Sequence, residues 1–246
     1  MLEKKMIHYR DSVVSTQDEM KVLLESRNPV PHLTAITAVT QTGGRGRQGR
    51  SWVSGEGNLF ASIYLSGFML PVTWVPHWVG LSLVESLQNL SLSAEDLQLK
   101  WPNDLYFKRE FKVAGILCEK VDHGVIAGVG VNIQSHPDLA DRKSTSLQAE
   151  FPTAVVAGFS KMLLSEIIRV MANEPDLLRL KQAYLEHALF HAGDDLKWVD
   201  PATQVAGEGR LIGLGDHGEL LVRVSENGTS RTHSLFGEEI TAVAVR

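Results

Sequence analysis

The chain has 246 residues, with 24 lysines and arginines against 29 aspartates and glutamates, for a formal net charge of −5. That length suits one large domain plus a small one, and the acidic balance excludes a chain that is basic throughout and built to coat nucleic acid, although a local basic cluster remains compatible with it. The single cysteine excludes an internal disulfide, and the N-terminus lacks the apolar core of a signal peptide; with no apolar stretch long enough to span a bilayer, the expectation is a cytoplasmic protein.

In chain order, a short strand is expected near Met6–Arg10 and a helix from about Thr16 to Ser26. The β-branched run Thr34–Thr40 reads as a strand, and Gln41–Gly57 as a glycine- and arginine-rich loop. Leu59–Leu65 reads as another strand. Thr73 is placed to cap a helix carrying Trp74, Trp78, Leu81, Leu83 and Leu87, with its tryptophans four apart, as core positions are. Leu97–Lys100 is a short strand ending at Trp101-Pro102. Leu105–Phe107 and Phe111–Cys118 read as a hairpin, with Cys118 as a buried small apolar residue. Val125–Ile133 is an apolar strand containing Gly128 and Gly130. Phe151–Ala172 and Pro175–His191 have helical periodicity. Short strands follow at Leu196–Val199, Gln204–Ile212, Glu219–Val224, Thr229–Leu235 and Glu239–Val245, with turns at Gly213–Gly218 and Glu226–Gly228, which suggests a small barrel. The boundary falls near His191–Asp194, and the whole reads as α+β with a mixed or mainly antiparallel sheet.

Four segments carry chemistry. Gly43–Arg50 packs four glycines and three arginines into eight residues. Glycines let the backbone fold around an anion, and arginine forks suit phosphate and carboxylate. No Gly-Lys-Ser/Thr follows, so it is not a P-loop. Alone, it fits an RNA-binding basic loop equally well. In Lys100-Trp101-Pro102-Asn103-Asp104 a lysine at a strand end places one cation, and Asn103 and Asp104 add oxygen ligands; a plain strand-ending turn is the alternative. Lys112 enters the apolar strand Val113–Leu117 and needs either a partner or a route to solvent. Gly128-Val129-Gly130-Val131-Asn132 leaves one strand face without side chains, either for a flat ligand or for a tight strand crossing. No Ser-His-Asp set, cysteine pair or His-x-x-x-His accompanies them, and the nine histidines are scattered in what read as surface or turn positions. Such a set holds negative charge and supplies no nucleophile, which suits attack of a bound carboxylate on a nucleotide phosphate.

The segments GGRGRQGRSW, KWPNDLYF, KVAGIL and GVGVN, in this order, together with Ser15-Thr16, resemble the biotin–protein ligase family over nearly the whole chain. The resemblance implies a fold like class II aminoacyl-tRNA synthetases and biotin ligases, with a catalytic domain over residues 1–191 and an SH3-like barrel over 192–246. It implies formation of biotinyl-5′-adenylate from biotin and Mg-ATP, then transfer to a lysine of a biotin carboxyl carrier domain, by a monomer or homodimer. By position, Ser15, Thr16, Gln41, Gly44, Arg45, Gly46, Arg47, Gly49, Trp52, Lys112 and Gly115 would contact biotin. Arg47, Trp52, Lys100, Asn103, Lys112 and Asn132 would contact the nucleotide, and Asp104 magnesium. Arg47, Lys100 and Lys112 would be catalytic.

Three departures stand out. Gln48 replaces a further arginine common in the family. Lys108-Arg109-Glu110 lacks the usual glycine or asparagine, so a wider turn is expected. The motifs start almost at the first residue, which leaves no winged-helix DNA-binding domain, so no repressor activity is expected. The rivals are a lipoate–protein ligase, disfavoured by KWPND and GRGRQGR; a nucleic-acid-binding module, disfavoured by net charge and by the two lysine motifs; and a non-catalytic biotin binder, disfavoured by Lys100, Asp104 and Lys112.

Overall fold

A computed structural model describes residues 6–26, 29–93, 95–138, 143–226, 229–237 and 239–244. The turn expected at Glu226–Gly228 and the end of the last strand at Val245 fall partly outside these residues.

The chain opens with β1 (Ile7–Val13), α1 (Thr16–Glu25), β2 (Ala35–Gln41) and β3 (Leu59–Leu65). There follow α2 (Val75–Asn89), the β4–β5 hairpin (Leu97–Lys100, Asp104–Phe107), β6 (Phe111–Val121) and β7 (Gly124–Val131). The helices α3 (Leu147–Glu150), α4 (Phe159–Met171) and α5 (Leu177–Glu186) complete this part. Its seven strands form one sheet in the order β1-β2-β3-β7-β6-β5-β4. Only β1 and β2 run parallel, so the mixed, mainly antiparallel sheet expected from the sequence is present.

Strand alternation divides the sheet into two unlike faces. Leu59, Ala61, Ile63 and Leu65 of β3, with Val125, Ala127, Val129 and Val131 of β7, point into the main core beneath α2 and α4. Trp74 and Trp78 are fully or almost fully buried there. The opposite face is covered by α1 at one end, where Met20 packs on Ile36, Tyr64 and Ile126. Beyond Met20 the side chains thin out. Ser62 of β3 pairs with Gly128 and then Leu117, and Phe60 pairs with Gly130, then Gly115, then Asp104. The row from Phe60 through Gly130 and Gly115 to Asp104 carries no side chain at its middle, and beyond α1 this face stays open as a floor.

Several boundaries differ from expectation. Residues 151–158 are not helical: Pro152 follows α3, and Gly158 in the left-handed region (φ 79°) starts α4. Thr73 makes no cap, because a short helical turn at Val72–Trp74 leads into α2. The β5–β6 turn is tight, not wide. Lys108 and Arg109 both adopt positive φ (48° and 60°), and the Glu110 N–H donates to the Phe107 carbonyl at 3.1 Å. The Arg109 guanidinium donates to the Leu189 carbonyl at 2.6 Å, which helps offset the strain of two non-glycine residues there.

The C-terminal strands β8 (Asp195–Val199), β9 (Ala206–Leu214), β10 (Leu220–Glu226), β11 (Thr229–Leu235) and β12 (Glu239–Ala244) form an antiparallel sheet, β11-β10-β9-β8-β12. Leu196, Trp198, Leu211, Val222 and Leu235 build its interior. The β9–β10 turn docks on the large sheet's helices. The Trp74 indole donates to the Asp216 carbonyl at 2.7 Å, and the Trp101 indole to the Gly218 carbonyl at 2.9 Å. His77, expected at a surface or turn, lies buried at this junction. Its ring sits between those of Trp74 and Tyr184, at 4.9 and 4.7 Å between centroids. Burial lowers its pKa to about 4, opposed by the Thr73 and Gly218 carbonyls.

Among the described residues, no helix is long and apolar enough to cross a membrane.

Candidate active site

A cavity of about 630 Å³ lies on the open face of the sheet. The glycine row is its floor and the β2–β3 loop its roof. Trp52 comes down from that loop onto the row. A Cβ built on Gly130 would sit 2.6 Å from the Trp52 ring, and one on Gly115 would sit 2.9 Å from it. The flat group received by the glycine-thinned strand is therefore, in this structure, the protein's own indole.

One end of the cavity is polar and neutral. Ser15 caps α1 by accepting from the Gln17 N–H at 3.3 Å. The Gln41 side-chain carbonyl accepts from the Thr16 N–H at 2.9 Å and from its hydroxyl at 3.2 Å, while the Ser62 hydroxyl donates to Thr16 at 2.9 Å. Both hydrogen-bonding senses thus meet at a helix N-terminus, where backbone N–H groups also favour partial negative charge.

The other end is cationic. The Lys112 ammonium lies 2.6 Å from the Asp104 carboxylate and 5.6 Å from the Trp52 ring centroid. The two side chains are 12% and 19% exposed, so the pair is largely shielded from water. Snorkelling to solvent is thereby excluded for Lys112. Lys100 lies over the Tyr106 ring at 5.1 Å. Asn103 donates to the Ile116 carbonyl at 2.6 Å and accepts from Arg47 at 3.3 Å. The second Arg47 nitrogen donates to the Gly237 carbonyl, also at 3.3 Å, so the C-terminal sheet contributes to this wall.

The roof is held shut by its own backbone. The Trp52 N–H donates to the Gly44 carbonyl at 2.9 Å, and the Gly46 N–H to the Arg50 carbonyl at 2.7 Å. At the tip Gln48 (φ 57°) and Gly49 (φ 72°) both turn left-handed. Arg45 leans to the side, its guanidinium donating to both Asp18 oxygens at 2.9 and 2.6 Å. That hydrogen bonding raises its pKa, against desolvation and with help from the Asp18 and Glu119 charges.

Of the residues singled out in the sequence, Ser15, Thr16, Gln41, Arg45, Gly46, Arg47, Trp52, Lys100, Asn103, Asp104, Lys112, Gly115 and Asn132 line this cavity. Gly44 and Gly49 stand outside the lining, Gly44 packed against Trp52 and Ser54 and Gly49 at the turn. The Asn132 amide donates to the Thr145 carbonyl at 3.1 Å and so tethers the chain after β7. Sequence reasoning missed Gln17, Tyr106, Ser144, Gly237 and Ile240. Tyr106 was signalled by its place in the hairpin that carries Lys100, and Gln17 by its place beside Ser15-Thr16. Nothing local marks Gly237 or Ile240, which arrive from the other sheet.

Among the described residues no three His, Cys, Asp or Glu side chains are grouped to hold a metal. Asp104 is a single carboxylate already facing a lysine. That donor set fits a magnesium ion held mainly by substrate phosphates, and does not make a resident metal centre.

Fold and site together define an α+β domain in which a neutral polar end and a cationic end share one cleft. Residues 11–134 match the family model described as the biotin/lipoate A/B protein ligase family, and the chain belongs to that family. The structure is similar to that of a biotin protein ligase from Aquifex aeolicus in complex with biotin and ATP, with a TM-score of 0.77 and 26% identity over 97% of this chain and 99% of that one. It also shares the fold of the Leishmania major biotin protein ligase, with a TM-score of 0.65, at 22% identity over 94% of this chain and 99% of that one. In sequence it is 35% identical over 117 residues to the biotin–[acetyl-CoA-carboxylase] ligase of Mycobacterium tuberculosis, covering 46% of this chain but only 44% of that relative. It is 26% identical over 243 residues to the bifunctional ligase/repressor BirA of Bacillus subtilis, covering 89% of this chain and 69% of the relative.

Proposed function

We propose that this protein is an ATP-dependent biotin–protein ligase. It joins biotin to AMP and then passes the biotinyl group to the lysine of a biotin carboxyl carrier domain. One observation carries the reading: Lys112, Asp104, Asn103 and Arg47 meet at one end of a glycine-floored cavity whose other end is the Ser15, Thr16 and Gln41 cluster. That spacing suits an elongated ligand with a neutral hydrogen-bonding head and an anionic tail.

The neutral end takes the ureido head of biotin. Gln41 and Thr16 are arranged to accept and donate together. The carboxylate tail then reaches Lys112, which leaves Asp104 for the anionic ligand as the charges rearrange. A carboxylate oxygen attacks the α-phosphorus of ATP, the bond to the β-phosphate oxygen breaks, and pyrophosphate leaves. Charge grows on the phosphate oxygens during this step, and Lys112, Lys100 and Arg47 are the fixed cations that stabilise it. Asp104 and Asn103 are the oxygen ligands that would meet magnesium carried by ATP, which would neutralise phosphate charge there. In the second half the acceptor lysine amine attacks the acyl carbon and AMP leaves with its phosphate oxygen.

A mixed anhydride hydrolyses when water reaches it, and the β2–β3 loop is placed to exclude water. Trp52 covers the floor at the centre, where the acyl phosphate would lie. The residues up to 191 form the catalytic domain in this reading, and 192–246 a C-terminal domain that closes the nucleotide end through Gly237. The net charge of −5 and the use of Arg45 and Arg47 within the protein support a ligase without a DNA-binding role, and a cytoplasmic location accords with the substrates.

Incubation with labelled biotin, ATP and a carrier domain tests the reading. Label should appear on the carrier, require ATP, and vanish when the acceptor lysine is changed to arginine. Transfer of lipoate in place of biotin would assign the chain to the other branch of the family.

A further inference from the structure

Asn58 stands one residue before β3 and is 6% exposed. It lies outside the cavity lining, and its side chain is spent on one stretch of chain just beyond β7. Its side-chain carbonyl accepts from three consecutive backbone N–H groups, those of Ile133 at 2.8 Å, Gln134 at 2.9 Å and Ser135 at 3.2 Å. Its amide nitrogen donates to the Ser135 carbonyl at 3.0 Å and to the Ser135 hydroxyl at 3.3 Å. Three donors can be met only by the amide oxygen, so the side chain has one orientation. N–H groups that leave a strand ladder together need another acceptor, and Asn58 serves all three. The neighbouring residues fit as closely. A Cβ on Gly55 would stand 2.8 Å from the Ser135 hydroxyl, and one on Gly57 would run into the Gln134 side chain.

The stretch that Asn58 holds continues into a wall of the site. Asn132 lines the cavity. Its N–H donates to the Val113 carbonyl at 2.8 Å, and its carbonyl accepts from the Leu147 N–H at 2.9 Å. Its side-chain amide donates to the Thr145 carbonyl at 3.1 Å, and the Thr145 N–H donates to the Lys112 carbonyl at 3.1 Å. We propose that Asn58 is a positioning residue for the cationic end of the cavity, where it sets the place of Asn132 and, through Thr145, of the wall beside Lys112. The Asn132 carbonyl and the Ile133 N–H belong to one planar peptide unit, so fixing the second fixes the first. Without Asn58 the three N–H groups turn to other acceptors, and that peptide plane turns with them. A small displacement of a group that positions a ligand weakens binding at that end and spares the far end. The placement stands on geometry; that the ligand at this end is ATP rests on the function proposed above.

Two measurements on the full chain test this. In the first, amide hydrogen exchange of the ligand-free protein is read by mass spectrometry. Peptides spanning residues 132–135 should exchange about tenfold faster in Asn58→Ala than in the parent, with α1 and β1 unchanged. Asn58→Asp keeps the acceptor and should recover most of the protection. In the second, Asn58→Ala should raise the KM for ATP roughly threefold to tenfold while the KM for biotin stays within about twofold. Asn58→Asp should return the KM for ATP toward that of the parent. Asn58→Ser, a milder truncation, carries the same test with smaller changes in the same direction if Asn58→Ala does not fold. Equal exchange at 132–135 in parent and variant, or equal rises in both KM values, overturns the proposal. The exchange measurement uses no ligand, so its failure is distinct from a failure of the parent to use biotin.

Discussion

The Lys112 ammonium and the Asp104 carboxylate face each other at 2.6 Å on adjacent strands, β6 and β5, with little exposure to water. A shielded pair lining a cavity places an ammonium where an incoming anion can meet it. Removing Lys112 removes a cation set beside the glycine floor at the cationic end of the cavity. Lys112→Ala should therefore reduce adenylate formation by about 10²- to 10³-fold while leaving biotin binding less affected, as isothermal titration and single-turnover assays would report. Adenylation at the parental rate would contradict this role.

Asp104 has a different signature. Asp104→Ala leaves the Lys112 charge without its partner in a poorly solvated place. The loss of stability should be about 2 kcal/mol in urea denaturation. The concentration of magnesium needed for half-maximal adenylation should rise at the same time. A stable variant with an unchanged magnesium requirement would show that Asp104 does neither.

The close approach of Trp52 to the floor gives a steric prediction. Gly130→Ala adds a Cβ within 2.6 Å of the indole, so Trp52 has to move. The lifted ring should change tryptophan emission and weaken ligand binding, at a cost of about 1–3 kcal/mol. Emission and affinity matching the parent would mean that the indole does not rest on this strand in solution.

His77 makes stability depend on pH. Its imidazole is lowered from the ordinary 6.5 to about 4 by burial. The unfolded chain binds that proton from pH 6.5 downward and the folded chain only near 4, so the stabilisation is complete above 6.5 and is lost as pH falls toward 4. The amount is about 3 kcal/mol over that window. Denaturation curves of the parent and of His77→Asn at pH 7.5 and 4.5 should differ in slope against pH by this amount. Parallel pH profiles would show that the imidazole is not held neutral.

Cys118, expected to be buried, is half-buried and packs against the edge of the core, and desolvation there pushes its thiol up to about 12. The native protein should therefore react with a thiol reagent at pH 8 far more slowly than the urea-unfolded chain, by about 10²-fold or more. Comparable rates would place this thiol at an accessible, ordinary surface.

Much of this was legible in the sequence because its signals are local. Leu59–Leu65 alternates as a strand must, Ser15 is a capping residue before a helix, and the two floor glycines announce a strand without side chains. Lys112 entering an apolar run called for either a partner or a route to solvent, and Asp104 of the neighbouring motif supplies the partner. What stayed hidden depends on distant contacts. Nothing near Arg45 in the sequence indicates that Asp18 would take its guanidinium, and Gly237 meets Arg47 only because the C-terminal sheet folds back. His77 looked like a surface histidine because its burial is made by Tyr184 and by the β9–β10 turn, far along the chain. The Lys108-Arg109 turn was expected to be wide on propensity alone. The Arg109 bonds to Leu189 and Gln98 outweigh that propensity.

Activation of biotin with ATP in this cavity is the step on which the proposed function rests. Exchange of labelled pyrophosphate into ATP measures that step without any acceptor protein. Exchange should be absent without biotin, appear when biotin is added, and fall by about 10²-fold or more in Lys112→Ala. A folded parent protein that shows no exchange with biotin, or shows it with lipoate alone, would contradict the account.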